Sequence, residues 1–222
     1  MTESPKLIVM LTHHDRTVEN AREIFERYGD AQAEFWGMKE SPLPLEEMKE
    51  LYACMRARGK RTALEVVAYT EEACLAGAEM AAECGCELLM GTMFFDSVNQ
   101  FCKDEGLMYL PFVGQITGRP SILRGRAEDM VREAERCLEK GAYGVDLLGY
   151  RYAGDAEELN RTLVSRVPGP VCVAGSVDSF QKLDQIKAAA PWAFTIGGAF
   201  FEGKFGGDFR GQIDRVCQYM RE

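Results

Sequence analysis

The sequence predicts an α/β chain folded as a (β/α)8 TIM barrel of the phosphate-binding type, one domain over residues 1–222. Three observations carry that prediction. Short apolar runs alternate eight times with amphipathic stretches at spacings of roughly 20 to 35 residues, the count that closes such a barrel. Glycine follows most of the helical stretches, as at helix C-termini. In the last third, residues 170–178 (PVCVAGSVD) and 192–201 (WAFTIGGAFF) are two buried-strand patterns with glycine at their ends.

Taken in order, the predicted strands are 7–11, 33–38, 62–67, 87–90, 108–113, 144–148, 171–174 and 193–196. Each is an apolar run of the length that a parallel strand buried on both faces requires. The predicted helices are 18–28, 45–58, 71–83, 95–104, 127–140, 156–166, 179–189 and 209–220. Thr17, Asp155 and Ser179 stand where N-caps belong, and Glu71, Glu72, Glu157 and Glu158 suit the positive end of a helix dipole. Gly29, Gly59, Gly85, Gly106 and Gly141 each close a helix before the next strand. An open doubly wound sheet is the rival architecture; it needs no eightfold regularity, and no Gly-x-Gly-x-x-Gly follows the first strand.

A formal charge of −9 and a hydrophobic fraction of 46% describe an acidic chain with ample material for a core. The average surface repels nucleic acid and anionic membrane, so neither is expected as a partner. The start, Met-Thr-Glu-Ser-Pro, carries no basic leader, and the first apolar run is too short for a signal or a membrane span; a cytoplasmic location is expected. Eight cysteines read as small hydrophobes within helical and strand patterns, not as a disulfide framework.

Active sites of this fold lie where strands end and βα loops begin, so the strand ends nominate the candidate residues. Glu65 and Asp146 interrupt apolar strands, where an unpaired carboxylate is expensive to bury. They are candidates for the acid and base of a proton transfer next to a carbonyl, the other reading being a structural ion pair with Lys39 or Arg151. Lys39 closes the second strand and has three candidate roles: counter-charge for Glu65, electrophile for an enediolate, or Schiff-base nucleophile. Electrostatic stabilisation ranks above the last, because two nearby carboxylates oppose the neutral amine that an imine needs. The only histidines, His13 and His14, leave the first strand beside Asp15 and face opposite ways, so one of them, His13, is expected at the site. An acid–base or loop-structural role for His13 is preferred to a divalent metal held with Asp15, Glu65 and Asp146; Asp15 is a further catalytic candidate, and no cofactor is expected.

The loop 114–125 is long and carries Arg119 and Arg124; it reads either as a substrate-binding lid or as an ordinary connection. The next loop offers Tyr150 and Arg151, which with Arg119 are candidates to bind the far end of a substrate. Gly175, Ser176, Gly197 and Gly198 are the candidate phosphate cup. A phosphate needs several backbone N–H groups converging on it, and glycine lets the backbone come close.

That C-terminal segment resembles the last quarter of the ribulose-phosphate-binding barrels, which include the histidine-biosynthesis isomerase, indole-glycerol-phosphate synthase, thiamine-phosphate synthase and N-acetylmannosamine-6-phosphate epimerase. Across nearly the whole chain the strand-end signatures Met-Leu-Thr at Met10, Leu-Glu-Val-Val at Leu64, Leu-Met-Gly at Leu89, Asp-Leu-Leu-x-Tyr-Arg-Tyr at Asp146, Val-Ala-Gly-Ser at Val173 and Phe-Thr-Ile-Gly at Phe194 are similar to those of an uncharacterised bacterial barrel family. Some of its members carry a 4-hydroxythreonine-4-phosphate dehydrogenase label, which implies NAD and a metal held by several histidines. Here there are two histidines in one loop and no dinucleotide fingerprint.

The expected function is a cofactor-independent isomerase or epimerase acting on a small phosphorylated sugar. The alternatives are a Schiff-base lyase using Lys39 and a non-catalytic phospholigand sensor. A homo-oligomer is compatible with either.

Overall fold

The computed structural model describes residues 4–118 and 120–222. Strand and helix alternate in the order β1 (Lys6–Met10), α1 (Ala21–Tyr28), β2 (Phe35–Lys39), α2 (Leu45–Ala57), β3 (Arg61–Val66), α3 (Glu71–Glu83), β4 (Leu88–Gly91), α4 (Asp96–Glu105), β5 (Met108–Leu110), α5 (Ala127–Glu139), β6 (Val145–Leu147), α6 (Ala156–Arg166), β7 (Val171–Val173), α7 (Phe180–Ala189), β8 (Ala193–Ile196) and α8 (Phe209–Tyr219). The strands are parallel and neighbour one another in the order β6-β7-β8-β1-β2-β3-β4-β5. A bridge between Phe112 and Asp146 brings the two ends together, so the sheet is a nearly closed barrel and the open-sheet alternative is excluded. Pro111 thins this seam, because it has no N–H to give to a ladder; its carbonyl accepts from the Asp146 N–H at 2.9 Å.

Strand alternation sorts the side chains into two layers. Ile8, Met10, Phe35, Ala63, Leu88, Met90, Leu110, Cys172 and Ala193 fill the barrel interior. Trp36, Met38, Leu64, Val145, Leu147, Val173, Phe194 and Ile196 belong to the larger layer between strands and helices. Trp36 meets Phe25 of α1 edge-on at 5.1 Å, and burying a side chain such as Phe25 contributes ~1.5–3 kcal/mol. By the same parity Lys39, Glu65, Asp146 and Thr195 face inward with the first group.

Two expected caps hold. The Asp155 carboxylate accepts from the Glu158 N–H at 3.0 Å, and the Ser179 hydroxyl from the Lys182 N–H at 3.4 Å. Thr17 is not a cap, because α1 begins at Ala21 with Asn20 before it. The segment ahead of α1 forms a hairpin instead, Thr12–His13 against Arg16–Thr17. Gly29 ends α1 in right-handed conformation, so its need is space: a Cβ there would lie 2.8 Å from the Phe25 ring.

The long loop after β5 is also a hairpin, Gln115–Thr117 against Ile122–Arg124. It is clasped to the β6–α6 connection by the Ala153 N–H donating to the Leu123 carbonyl at 3.0 Å and the Tyr152 hydroxyl to the Gly125 carbonyl at 2.8 Å. Arg119, expected to bind substrate from this loop, lies outside the described residues. All eight cysteines are free thiols, and among the described residues no helix is long and apolar enough to cross a membrane.

Candidate active site

The pocket at the strand ends has a volume of about 560 Å³. Asp15, Lys39, Glu65, His13, Arg151, Gly175, Ser176, Gly197 and Gly198 all line it, so nine of the twelve residues nominated from the sequence come together.

Its floor is an ion cluster around Lys39. The two-residue turn of the first hairpin, His14 and Asp15 at φ 49° and 63°, has both central residues left-handed, the twist that a tight hairpin requires. Neither residue is glycine, so the turn carries backbone strain of about 1–3 kcal/mol per residue. The turn brings the Asp15 carboxylate to 2.6 Å from Lys39 Nζ. Glu65 stands 3.5 Å from the same ammonium, and Arg151 reaches Asp15 at 3.5 Å. Thr17 fixes the backbone below: its hydroxyl accepts from the Lys39 N–H and donates to the Lys39 carbonyl, both at 2.9 Å. Burial acts to lower the Lys39 pKa, but the charges of Glu65 and Asp15 outweigh it and hold the amine above its ordinary value.

Asp146 lies beneath this floor, 0% exposed and outside the pocket lining. Burial, reinforced by the Glu65 charge, pushes its carboxyl well above the usual range; Lys39 and the Gly91 N–H pull the other way. The Gly91 amide falls short of hydrogen-bond geometry, and among the described residues neither carboxyl oxygen of Asp146 has a hydrogen-bond partner.

The opposite wall is the glycine-rich pair of loops. After β7 the chain turns through Gly175 and Ser176 at φ 91° and 59°, and after β8 Gly197 opens a short helix, Gly198–Phe201. At the start of a helix the first N–H groups have no intrahelical acceptor. Close approach explains two of the glycines. A Cβ on Gly175 would lie 2.8 Å from Arg151 Cγ, and one on Gly197 would lie 2.4 Å from Thr12 Oγ1. Lys182 does not reach into the cup as a cation, since its ammonium is held by the Ser176 carbonyl at 2.6 Å and by Asp178 at 3.0 Å. A phosphate here would meet the backbone N–H groups of the two loops, with the Arg151 side chain packed against Gly175 beside them.

His13 stands at the rim, its ring stacked on Phe201 at 5.6 Å and its Nε2 3.6 Å from Glu202. The metal implied by the dehydrogenase label does not fit these residues. The two histidine rings lie 3.8 Å apart in one turn, and among the described residues no three His, Cys, Asp or Glu side chains are grouped to hold an ion.

The expectation for Tyr150 is corrected. Residues 149–151 form one turn of 3-10 helix, which sends Arg151 to the pocket and Tyr150 away from it. The Tyr150 hydroxyl donates to the Lys182 carbonyl at 3.1 Å, and burial pushes it up to about 12.

The sequence reading missed Thr195, Pro120 and Glu202, which also line the pocket. His14, expected to face away from His13, lines it too, because the tight turn brings the two rings to 3.8 Å. Thr195 was legible, since it shares the inward parity of Ala193. Pro120 was not, because its place depends on how the second hairpin docks.

No family model and no curated protein matches the chain. Solved structures do match it in fold. Orotidine 5'-phosphate decarboxylase from Pyrococcus horikoshii OT3 is 14% identical, with 97% of this chain and 99% of that one covered at a TM-score of 0.71. The 4-hydroxy-2-oxoglutarate aldolase/2-deydro-3-deoxyphosphogluconate aldolase from TTHB1 is 17% identical, with 98% and 95% covered at 0.65. The tryptophan synthase alpha chain from Legionella pneumophila subsp. pneumophila is 11% identical, with 98% and 90% covered at 0.64. At such identities the likeness is one of architecture, and in architecture the chain is a (β/α)8 barrel.

Proposed function

We propose that the chain is an enzyme that moves a proton next to the carbonyl of a small phosphorylated sugar or sugar-like metabolite, as an isomerase or epimerase. The observation that carries this reading is the placing of a lysine–carboxylate cluster on the floor of one pocket whose wall is a glycine-rich double loop. The phosphate is anchored by the N–H groups of the loops at Gly175, Ser176, Gly197 and Gly198. Binding energy from that remote group orients the reacting carbons over the floor.

Glu65 is the candidate base, because its carboxylate lines the pocket whereas Asp146 does not. It takes the proton alpha to the carbonyl and returns it to the same or the neighbouring carbon. The negative charge that leaves Glu65 appears on the enediolate oxygen, where the Lys39 ammonium stabilises it. Asp15 shares Lys39 with Glu65, so Lys39 keeps one carboxylate partner when Glu65 becomes neutral. His13, at the rim beside Glu202, is the candidate to exchange a proton with a substrate hydroxyl. The scheme calls for no redox cofactor.

The contacts that hold Lys39 as a cation speak against an imine, the chemistry of a Schiff-base lyase. Three- to six-carbon sugar phosphates, each beside its unphosphorylated counterpart, are to be screened by thermal shift and then incubated with the protein in D2O. Selective stabilisation by the phosphorylated member, with deuterium entering the carbon alpha to its carbonyl, is the expected result. Stabilisation by neither member removes the phosphosugar reading. A borohydride-trapped adduct on Lys39 replaces proton transfer with the lyase.

A further inference from the structure

Asp146 is the one nominated carboxyl to which the proposed reaction gives no step, and its surroundings are unusual. It is 0% exposed, and among the described residues both its oxygens lack a hydrogen-bond partner. The elements packed against β6 bring it little. β7 offers the Cys172 thiol, paired with Asp146 in register. β4 offers only the Gly91 amide. On β5 the one titratable side chain, Tyr109, belongs to the outer layer and bonds Thr92 at 2.7 Å. From across the barrel interior Glu65 and Lys39 act on it, and the Lys39 ammonium already serves Asp15 and Glu65. Lys39 and Arg151 are thus matched by Asp15 and Glu65, and among the described residues no cation is left for a third carboxylate. An isolated ion costs several kcal/mol to bury, so such a group takes up a proton instead.

We propose that Asp146 is a positioning residue that stands as a neutral carboxylic acid at neutral pH and so leaves the charge of Lys39 to the reacting group. The argument is one of charge. When the base is protonated, its negative charge moves to the substrate oxygen and the total over the floor is unchanged. An ionised Asp146 would add one negative charge in a region of low dielectric, repel the enediolate and compete for Lys39. As a neutral acid it fills the same volume without that repulsion. The role toward the enediolate rests on the reading above, whereas the neutrality of Asp146 does not.

The test is infrared spectroscopy of the full chain at pH 7, with and without 13C label in the aspartate side-chain carboxyls. The expected result is a protonated-carboxyl carbonyl band that moves with the aspartate label and is missing from Asp146→Asn. If Asp146→Asn does not fold, the same band in the labelled wild-type protein, persisting at pH 7 after the other aspartates have ionised, decides the point. Aspartate carboxyls that are all ionised at pH 7 overturn the proposal. With a substrate in hand, the pH profile of kcat/KM separates positioning from mere packing. An alkaline limb that moves to higher pH in Asp146→Asn supports it, and an unmoved limb overturns the catalytic half. A neutral Asp146 in a protein that no sugar phosphate stabilises would instead show that the phosphosugar reading had failed.

Discussion

Asp15 and Lys39 lie 24 residues apart in the chain and meet at 2.6 Å, the shortest contact of the ion cluster on the pocket floor. The pair is nearly buried, and Glu65 at 3.5 Å makes it a triad with one cation between two anions. Removing the cation strips Glu65 of its ammonium and leaves Asp15 with Arg151 at 3.5 Å. Lys39→Met is expected to lose about 3–5 kcal/mol of stability at pH 7 by urea unfolding, the usual cost of breaking a buried pair from one side. In the wild type the raised Lys39 pKa makes this stability depend on pH. Its contribution is fully present below the unfolded value of about 10.4 and is lost as pH rises through the folded one, a step that Lys39→Met lacks. An unfolding energy equal to wild type at pH 7 would remove the triad as a stabilising unit.

Asp146 has a linkage of its own. Burial, helped by Glu65, raises its folded pKa, so the unfolded chain releases a proton that the folded chain keeps. Stability from this group is greatest below the unfolded value of about 3.9. It falls by about 1.4 kcal/mol per pH unit above that until the folded group ionises as well. Asp146→Asn has no such slope. It is therefore expected to be more stable than wild type at pH 7, with the difference disappearing near pH 3. Parallel stability curves for the two proteins between pH 4 and 7 would contradict the buried neutral acid.

Thr17 supports the cluster without entering it. Its hydroxyl satisfies both the N–H and the carbonyl of Lys39, each at 2.9 Å, and it is buried. Thr17→Val keeps the shape but leaves two buried backbone groups unpaired, at about 1–3 kcal/mol each. Thr17→Ser keeps the hydroxyl and is expected to lose less than 1 kcal/mol, roughly one buried methyl. Chemical denaturation of the two variants side by side checks the contrast. Equal losses would mean that the methyl, not the hydroxyl, matters at this position.

The barrel was legible because its strands are central and parallel. Such strands are buried on both faces and read as plain apolar runs, and all eight predicted runs overlap a barrel strand. The same property made Lys39, Glu65 and Asp146 conspicuous, since a charge inside an apolar run needs a reason. The two hairpins escaped notice because their strands are two or three residues long, too short for any period to register. That is why Thr17 was read as a helix cap and why the pairing of Asp15 with Lys39 was not foreseen. Tyr150 and Arg151 were taken as a pair because they are adjacent, yet a single 3-10 turn separates their directions. Direction within a short loop is set by the contacts it makes, and those lie elsewhere in the chain.

Gly197 and Gly198 offer a test in which stability and ligand binding come apart. Neither residue has a positive φ, and the two differ in the space around them. At Gly197 the added Cβ would stand 2.4 Å from Thr12 Oγ1 and 2.9 Å from the Thr12 carbonyl, which binds the β8 loop tightly to the first hairpin. Gly197→Ala must shift one of the two and is expected to cost about 1–3 kcal/mol, as overpacking does. At Gly198 the nearest atom is His13 Cδ2 at 3.5 Å, an ordinary contact. Alanine also suits the first turn of a helix better than glycine does. Gly198→Ala should therefore keep or slightly raise the stability, by an amount on the order of 0.5 kcal/mol. If the cup holds phosphate, however, the new methyl lies where the anion must approach the N–H groups. The same variant should then lose the selective stabilisation by sugar phosphates that the wild type shows. Thermal shift with and without ligand measures both quantities in one experiment. A Gly198→Ala protein that is stable and still responds to phosphorylated ligands as the wild type does would move the phosphate away from the β8 loop.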